Sequence, residues 1–294
     1  MRVSHESLVS QSLRRLERRL EAFEEIQVQM GTGKRFQRAS EDVGGMNLSL
    51  GMRTQRRSLE QANRNASDGQ SRVEIADSRL QQMNTSLRRA RELVTRGANT
   101  LQQTERDAIA EELTAIRDEL VGLANSRHMG QALFGGFTGG DAIQQVAGTW
   151  TYTGDTGAVQ RRVGENQVVT VNVTGDETFG FNGAIDVFTL LDQVATDVRA
   201  GNVDAVSNAI ADIEGAEDGL LNGLARLGST GRTIETTMQR NLEQLETIRA
   251  RQSDIEDVDL AEAVMELQTQ EVALQATLGA LARSLQPSLM DFLS

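Results

Sequence analysis

The chain holds two histidines, His5 and His128, and no cysteine. Neither histidine has a second residue at the spacing of a metal ligand or a catalytic triad, and a lone imidazole of this kind is ordinarily structural or solvated. Gly31-Thr32-Gly33-Lys34 has the glycine and lysine that end a phosphate-binding loop. The full motif needs a glycine where Val28 stands and a hydroxyl where Arg35 stands, so the phosphate reading fails. Asp254, Glu256, Asp257 and Asp259 supply carboxylates without the glycine and closing glutamate of a calcium loop. They fit the N-terminal segment of a helix better, where acids suit the dipole. Between residues 134 and 185 the polar candidates are Arg161, Arg162, Asp155 and Glu165, which suit charged turns better than a catalytic set. The sequence therefore assigns no catalytic, cofactor or metal residue, and an enzyme or ligand-binding domain hosted in 134–185 is the weakest of the functional readings.

The elements around these residues are more informative than the residues themselves. Val9, Leu13, Leu16, Leu20, Phe23 and Met30 recur at four and three, with Gln27 as a polar gap. Leu260, Val264, Leu267, Leu274, Leu278, Leu281 and Leu285 do the same, with Glu271 as the gap. Each row is a narrow stripe on a helix, and a narrow stripe needs a partner helix to cover it. Two stripes at opposite ends point to termini that pair with each other or with neighbouring copies, so these thirteen residues are the candidate assembly interface. Residues 1–40 hold eight bases and five acids, whereas residues 252–294 hold eight acids and one base, Arg283. Opposite signs favour the meeting of the two ends; two merely solvated faces would give the same counts.

The formal net charge of −12 argues against a general nucleic-acid binder. No run approaches the roughly 18 to 20 apolar residues that cross a membrane. Residues 1–30 are charged throughout and resemble no cleavable signal.

From Leu48 to Val94 the four-three beat continues, with small members from Ala62 to Ala76 that admit a close neighbour. Such a helix would be roughly 75 Å long. Thr104 and Asp107 resemble a capping box for a second helix with the stripe Ile109, Leu113, Ile116, Leu120 and Leu123. Ile210 to Leu227 and Ile234 to Ile248 read as two further helices, Asn241 being a polar member that could fix register. Residues 130–183 hold twelve of the 27 glycines, and residues 134–188 hold seven of the ten aromatics. Thr149–Thr153 and Val169–Thr174 alternate with period two, and Gly154-Asp155-Thr156-Gly157 and Gly175-Asp176 supply turn chemistry. The fold class expected is mainly α, a long coiled-coil-like helical rod formed by both chain ends, with a small inserted outer β-rich domain.

Met30-Gly31-Thr32-Gly33-Lys34-Arg35-Phe36 followed by Ser40-Glu41-Asp42 resembles the flagellin superfamily's signature where the terminal helix hands over to the rod. Ile255-Glu256-Asp257-Val258-Asp259-Leu260-Ala261-Glu262 resembles that superfamily's closing segment. Ala124-Asn125 with Leu133-Phe134-Gly135-Gly136 is similar to the entry into the outer domain in the superfamily's hook–filament junction proteins. Flagellins more often carry leucine–leucine–aspartate–glycine there. Glu41-Asp42-Val43 departs from the two aspartates and proline common in junction proteins, and Ala132 stands where tyrosine is common.

The resemblance implies an inner coiled-coil domain from residues 1–45 and 252–294, a helical rod domain from 46–133 and 186–251, and an outer β-rich domain at 134–185. It implies a structural subunit of the bacterial flagellum that joins hook to filament as a ring of identical copies. The neighbours would be hook-associated protein 1 and flagellin. An export chaperone would hold the C-terminal helix, and the chain would leave the cell through the flagellar channel without a cleaved signal. The alternative within the superfamily is flagellin itself, the filament subunit. Because ordering a helix costs roughly 1–2 kcal/mol per residue in backbone entropy, the ends are expected to order only on burial against each other and neighbouring subunits.

Overall fold

The computed structural model describes residues 3–183 and 186–284. In chain order the elements are α1 (Val3–Thr32), α2 (Val43–Ala98), α3 (Gln103–Ala124), β1 (Arg127–His128), β2 (Gln131–Ala132), β3 (Ile143–Val146), β4 (Thr149–Tyr152), β5 (Gln160–Arg162), β6 (Val168–Thr170), α4 (Gly175–Thr178), α5 (Val187–Ala200), α6 (Val203–Glu256) and α7 (Leu260–Ser284). The protein is mainly helical with small antiparallel sheets. Two compact units are distinguishable: residues 1–57 with 245–294, and residues 58–244. The long helices α2 and α6 contribute to both.

The second unit is organised on the apolar beat of α2. Ala66, Val73, Ala76, Leu80, Met83, Leu87, Ala90 and Val94 are all buried, as their spacing predicts. They meet the α3 stripe Ile109, Leu113, Ile116 and Leu120 and the α6 residues Ile213, Leu220, Leu227 and Ile234 in one apolar core. Each fully buried leucine contributes about 2 kcal/mol of transfer free energy. The helix α5, which the sequence patterns did not single out, packs on α3. Asp186 caps it by accepting from the Phe188 and Thr189 N–H groups at 3.0 and 2.8 Å, and Gly201 ends it at φ +73°. Arg117 of α3 pairs with Asp192 of α5 and stacks its guanidinium 5.3 Å above the Trp150 ring.

The β segment is three two-stranded hairpins, β1–β2, β3–β4 and β5–β6. In the second, Ile143 stands opposite Tyr152 and Val146 opposite Thr149; in the third, Gln160 stands opposite Thr170. Their apolar residues Ile143, Val159, Val163 and Val171 belong to the same core as the helices. Asn241 of α6 is buried and donates to the Val163 carbonyl at 2.8 Å and to Asn63 Oδ1 at 3.0 Å. This polar member thus ties α6 to both α2 and the third hairpin.

Several local expectations are corrected. The two helices expected over Ile210–Leu227 and Ile234–Ile248 are one, α6. Gly228-Ser229-Thr230-Gly231 stays helical because it contains no proline and because Leu227 and Ile234 on either side are buried. A capping box at Thr104 does not form: the helix starts one residue earlier, its N-cap Gln102 makes no side-chain cap bond, and Asp107 instead accepts from Gln103 Nε2 at 2.8 Å. Gly175-Asp176 opens the single-turn helix α4 rather than a hairpin turn, because the Gly175 N–H is held by the Phe134 carbonyl at 2.8 Å. Strand pairing ends at Thr170. Beyond it one backbone bond remains, from the Val171 N–H to the Val159 carbonyl at 2.8 Å, and Asn172 takes over with its side chain, accepting from the Val159 N–H and donating to the Gly157 carbonyl.

Candidate functional site

In the first unit the chain leaves α1, crosses a tight loop and enters α2, while α6 hands over to α7 beside it. Gly33, at φ +69°, ends α1 in the left-handed region that favours glycine. A short antiparallel bridge then joins the two crossings. The Arg35 N–H donates to the Glu256 carbonyl at 2.6 Å, the Val258 N–H donates to the Gly33 carbonyl at 3.0 Å, and Lys34 faces Asp257. The side chains after the bridge set the start of α2. Phe36 is buried, Glu41 accepts from the Gln37 and Arg38 N–H groups, and Asp42 accepts from the Gly45 N–H at 2.8 Å as a helix cap. A Cβ on Gly45 would lie 2.7 Å from the Phe36 ring, which explains the glycine.

At the centre of this hinge is a carboxylate that the sequence marks only as one acid of a run. Glu256 is only 2% exposed. Its Oε1 accepts from the Ser49 hydroxyl, from Arg53 Nη2 at 3.0 Å and from Gln252 Nε2 at 2.8 Å; its Oε2 pairs with Lys34 Nζ at 3.2 Å. Lys34 also pairs with Asp257 at 2.6 Å, and that hydrogen bond, foremost, holds the Lys34 ammonium above its ordinary pKa. Burial pushes the Glu256 carboxyl up, but the donors from Ser49, Gln252, Lys34 and Arg53 together outweigh it and hold the group at about 2. One side chain therefore joins the α1–α2 loop, the first turns of α2 and the last turn of α6.

The acidic run containing this residue is not a single helix start. Asp254 and Glu256 close α6, and only Asp259 begins a helix, capping α7 by accepting from the Ala261 and Glu262 N–H groups at 2.9 and 3.2 Å. Lys34, weighed above as a phosphate ligand, is instead engaged by two carboxylates.

Helices α1 and α7 run antiparallel, with Ile26 and Ala263 buried between them and Arg19 Nη1 donating to Gln270 at 2.8 Å. The candidate interface residues divide by heptad position. Leu16, Phe23 and Met30 share the face of Ile26, and Leu267, Leu274 and Leu281 share the face of Ala263; all six are half-buried. Leu13 (45% exposed), Leu20 (41%), Val264 and Leu278 (48%) lie on the open faces, as do the polar gaps Gln27 and Glu271. Leu260, in the first turn of α7, is also exposed. The side chain of Val9, and Leu285 altogether, lie outside the described residues. Half of each stripe is thus used within the chain, and the other half has no cover in it.

Of the residues considered for chemistry, His128 and Arg161 come together, at Asp68. His128 Nε2 lies 3.8 Å from Asp68, whose other oxygen takes Arg161 Nε at 2.7 Å. The side chain of His5 lies outside the described residues. Arg162 offers its backbone carbonyl to Asn65, and Asp155 is a turn residue. Among the described residues no group of three or more His, Asp and Glu side chains could hold a metal ion.

The Leu133-Phe134-Gly135-Gly136 segment in the second unit is a built turn. Leu133 and Phe134 are fully buried, and the Phe134 ring packs edge-on to Phe179 at 5.3 Å. Tyr152 donates its hydroxyl to the Phe134 carbonyl at 2.9 Å, and Asp155 accepts from the Phe137 and Gly157 N–H groups. Gly136 has φ +67°, and a Cβ there would fall 2.0 Å from Asp155 Oδ1. Gly136→Ala is therefore expected to destabilise the second unit by about 2 kcal/mol or more, read as a lower denaturant midpoint with unchanged helix content.

This fold and hinge define a mostly helical structural protein whose two chain ends pair as antiparallel helices. Residues 3–138 match the family described as the bacterial flagellin N-terminal helical region, and residues 206–293 match the bacterial flagellin C-terminal helical region. The chain belongs to the flagellin family, whose members are structural parts of the bacterial flagellum and not enzymes. It is 28% identical over 312 residues to a flagellin of Bacillus subtilis, covering 97% of both chains. It is 25% identical to flagellar hook-associated protein 3 of Salmonella typhimurium, covering 94% of this chain and 95% of that one. Its fold is similar to the solved flagellar hook-associated protein-3 from Legionella pneumophila (TM-score 0.64, 15% identity, 69% of this chain and 98% of that one). It is likewise similar to FlgL of Bacillus cereus (TM-score 0.59, 23% identity, 68% and 97%).

Proposed function

We propose that this chain is a junction subunit of the hook-associated protein 3 kind, which assembles as a ring between the hook and the filament of the flagellum. The observation that carries this reading is the Leu133-Phe134-Gly135-Gly136 turn. A phenylalanine fills the core position where flagellins more often have leucine, and Gly135 follows it where they more often have aspartate; a Cβ at Gly135 would lie 2.9 Å from the Ala132 methyl. In this reading the ring meets hook-associated protein 1 on one side and flagellin on the other. The chain works outside the cell, reached by flagellar export without a cleaved signal, and the exposed apolar residues of α7 are the seat of an export chaperone before assembly. The candidate interface residues on the open faces, Leu13, Leu20, Leu260, Val264 and Leu278, would be buried between copies, with residues 134–185 turned outward.

The identity to Bacillus subtilis flagellin, spread over nearly the whole chain, favours a second reading as a filament subunit. Deleting the gene in the source bacterium separates the two. Hooks without filaments, with flagellin shed into the medium, are expected for a junction subunit. Loss of filaments with no other flagellin in the medium would identify the filament subunit, and intact filaments would end both readings.

A further inference from the structure

We infer that the groove between α1 and α7 beside the hinge seats the arginine-bearing face of α1 from a second copy of this chain. The inference rests on the assembly reading above and names the contact through which one copy holds the next. The groove encloses about 380 Å³. Ala22, Ile26, Val258 and Ala263 make its apolar floor, and Glu25, Glu262 and Glu266 stand on its rim. Among the described residues, Glu25 and Glu262 make no ion pair, and Glu266 accepts only from Gln270 Nε2 at 3.1 Å. The cation lining the groove, Arg35, is engaged by Asp42 at 3.1 Å. The site is thus apolar below and acidic above.

The complementary surface lies on α1. Arg14 and Arg18 are exposed and make no ion pair among the described residues; Arg18 Nε donates to the Arg14 backbone carbonyl at 3.1 Å, which draws its guanidinium back along the helix. The two arginines are one helical turn apart, and so are Glu262 and Glu266, so two guanidinium groups match two carboxylates at the same spacing. The aliphatic stems of Arg14 and Arg18 supply the apolar part of the contact. The match cannot be made within one chain at Glu262. Arg19 meets Gln270, so Arg14 and Arg18 lie beyond that level, about 12 Å or more along α7 from Glu262. Exposed ion pairs contribute little singly, but like charges brought together at this spacing oppose docking, which makes the charge pattern a selector of the partner surface.

The test is a charge exchange between copies in the source bacterium. One full-length chain carries Arg14→Glu with Arg18→Glu, and a second carries Glu262→Arg with Glu266→Arg. Circular dichroism of each purified chain checks the helix content, which these exposed positions should leave unchanged. Detection in the culture medium checks export. Expressed alone in place of the original gene, each chain is expected in the medium, with its amount in isolated flagella reduced roughly tenfold or more. Expressed together, acidic α1 meets basic groove and basic α1 meets acidic groove, and both chains are expected to return to the flagella. Normal incorporation of either chain alone, or failure of the pair to incorporate, would overturn the inference while leaving the assembly reading in place. Absence of the unaltered chain from flagella would overturn the assembly reading itself, and this contact with it.

Discussion

Replacing Glu256 with alanine is expected to loosen the hinge of the first unit while leaving the second unit folded. The carboxylate is buried, and four side chains from three segments converge on it. Removing one member of a buried ion pair commonly costs about 3–5 kcal/mol, because the other member loses its compensation. Here Lys34 and Arg53 keep about two-fifths of their side-chain surface in solvent, so the low end, about 3 kcal/mol, applies. Amide hydrogen exchange should accelerate by two orders of magnitude or so over residues 33–53 and 245–258, and remain slow in the core segments of 58–244. Uniform acceleration across both units, or none at the hinge, would show that Glu256 does not have this role.

The same group fixes a pH dependence. Its carboxyl is held at about 2, below the ordinary 4.5, so the folded state binds the proton more weakly than the unfolded state does. The stabilisation is present above about pH 4.5 and is lost as the pH falls towards 2, a contribution of about 3 kcal/mol at neutral pH. Hinge protection should decline across that window, and Glu256→Gln should flatten the decline, since glutamine keeps the shape without the titration.

The second large effect is expected on assembly rather than stability. Leu20 lies on the open face of α1, where an aspartate in the free chain meets water. Leu20→Asp should therefore change the unfolding midpoint little, yet abolish incorporation into flagella, because the charge would be buried between copies without a partner. Leu274→Asp should also abolish incorporation, but by a different route: Leu274 is on the face that meets α1, so the pair itself should open in the free chain. Melting curves and flagellar incorporation of the two variants, measured together, distinguish these routes. Equal incorporation of Leu20→Asp and the unaltered chain would contradict the use of the open face.

The parts of the fold that repeat were legible in the residues. The beat from Leu59 to Val94 and the stripe from Ile109 to Leu120 are the core, because a helix of 3.6 residues per turn leaves apolar residues at that spacing little choice of face. The stripes at the two ends were legible as surfaces to be covered, but not their division into a half used within the chain and a half left open. That division depends on which residue of α1 stands beside which residue of α7, and Arg19 with Gln270 fixes it across 251 positions of sequence. Glu256 was read only as one acid in a run. Nothing local says that Ser49 and Arg53 will stand over it, since they arrive from the far end of the chain. The end of strand pairing at Thr170 was hidden for a similar reason: Val169 to Thr174 alternates well, but Asn172 spends its side chain on the neighbouring backbone. Continuity of α6 through Gly228 to Gly231 came from packing on both sides, which local propensity does not contain.

The account rests on the claim that the open faces of α1 and α7 are closed by other copies. Hydrogen exchange of the full chain, free in solution and again in isolated flagella, tests this most directly. The account predicts that segments buried in the core of residues 58–244 are protected in both samples, whereas residues 10–30 and 260–281 gain strong protection only in flagella. Strong protection of both end segments in the free chain, unchanged on assembly, would contradict it.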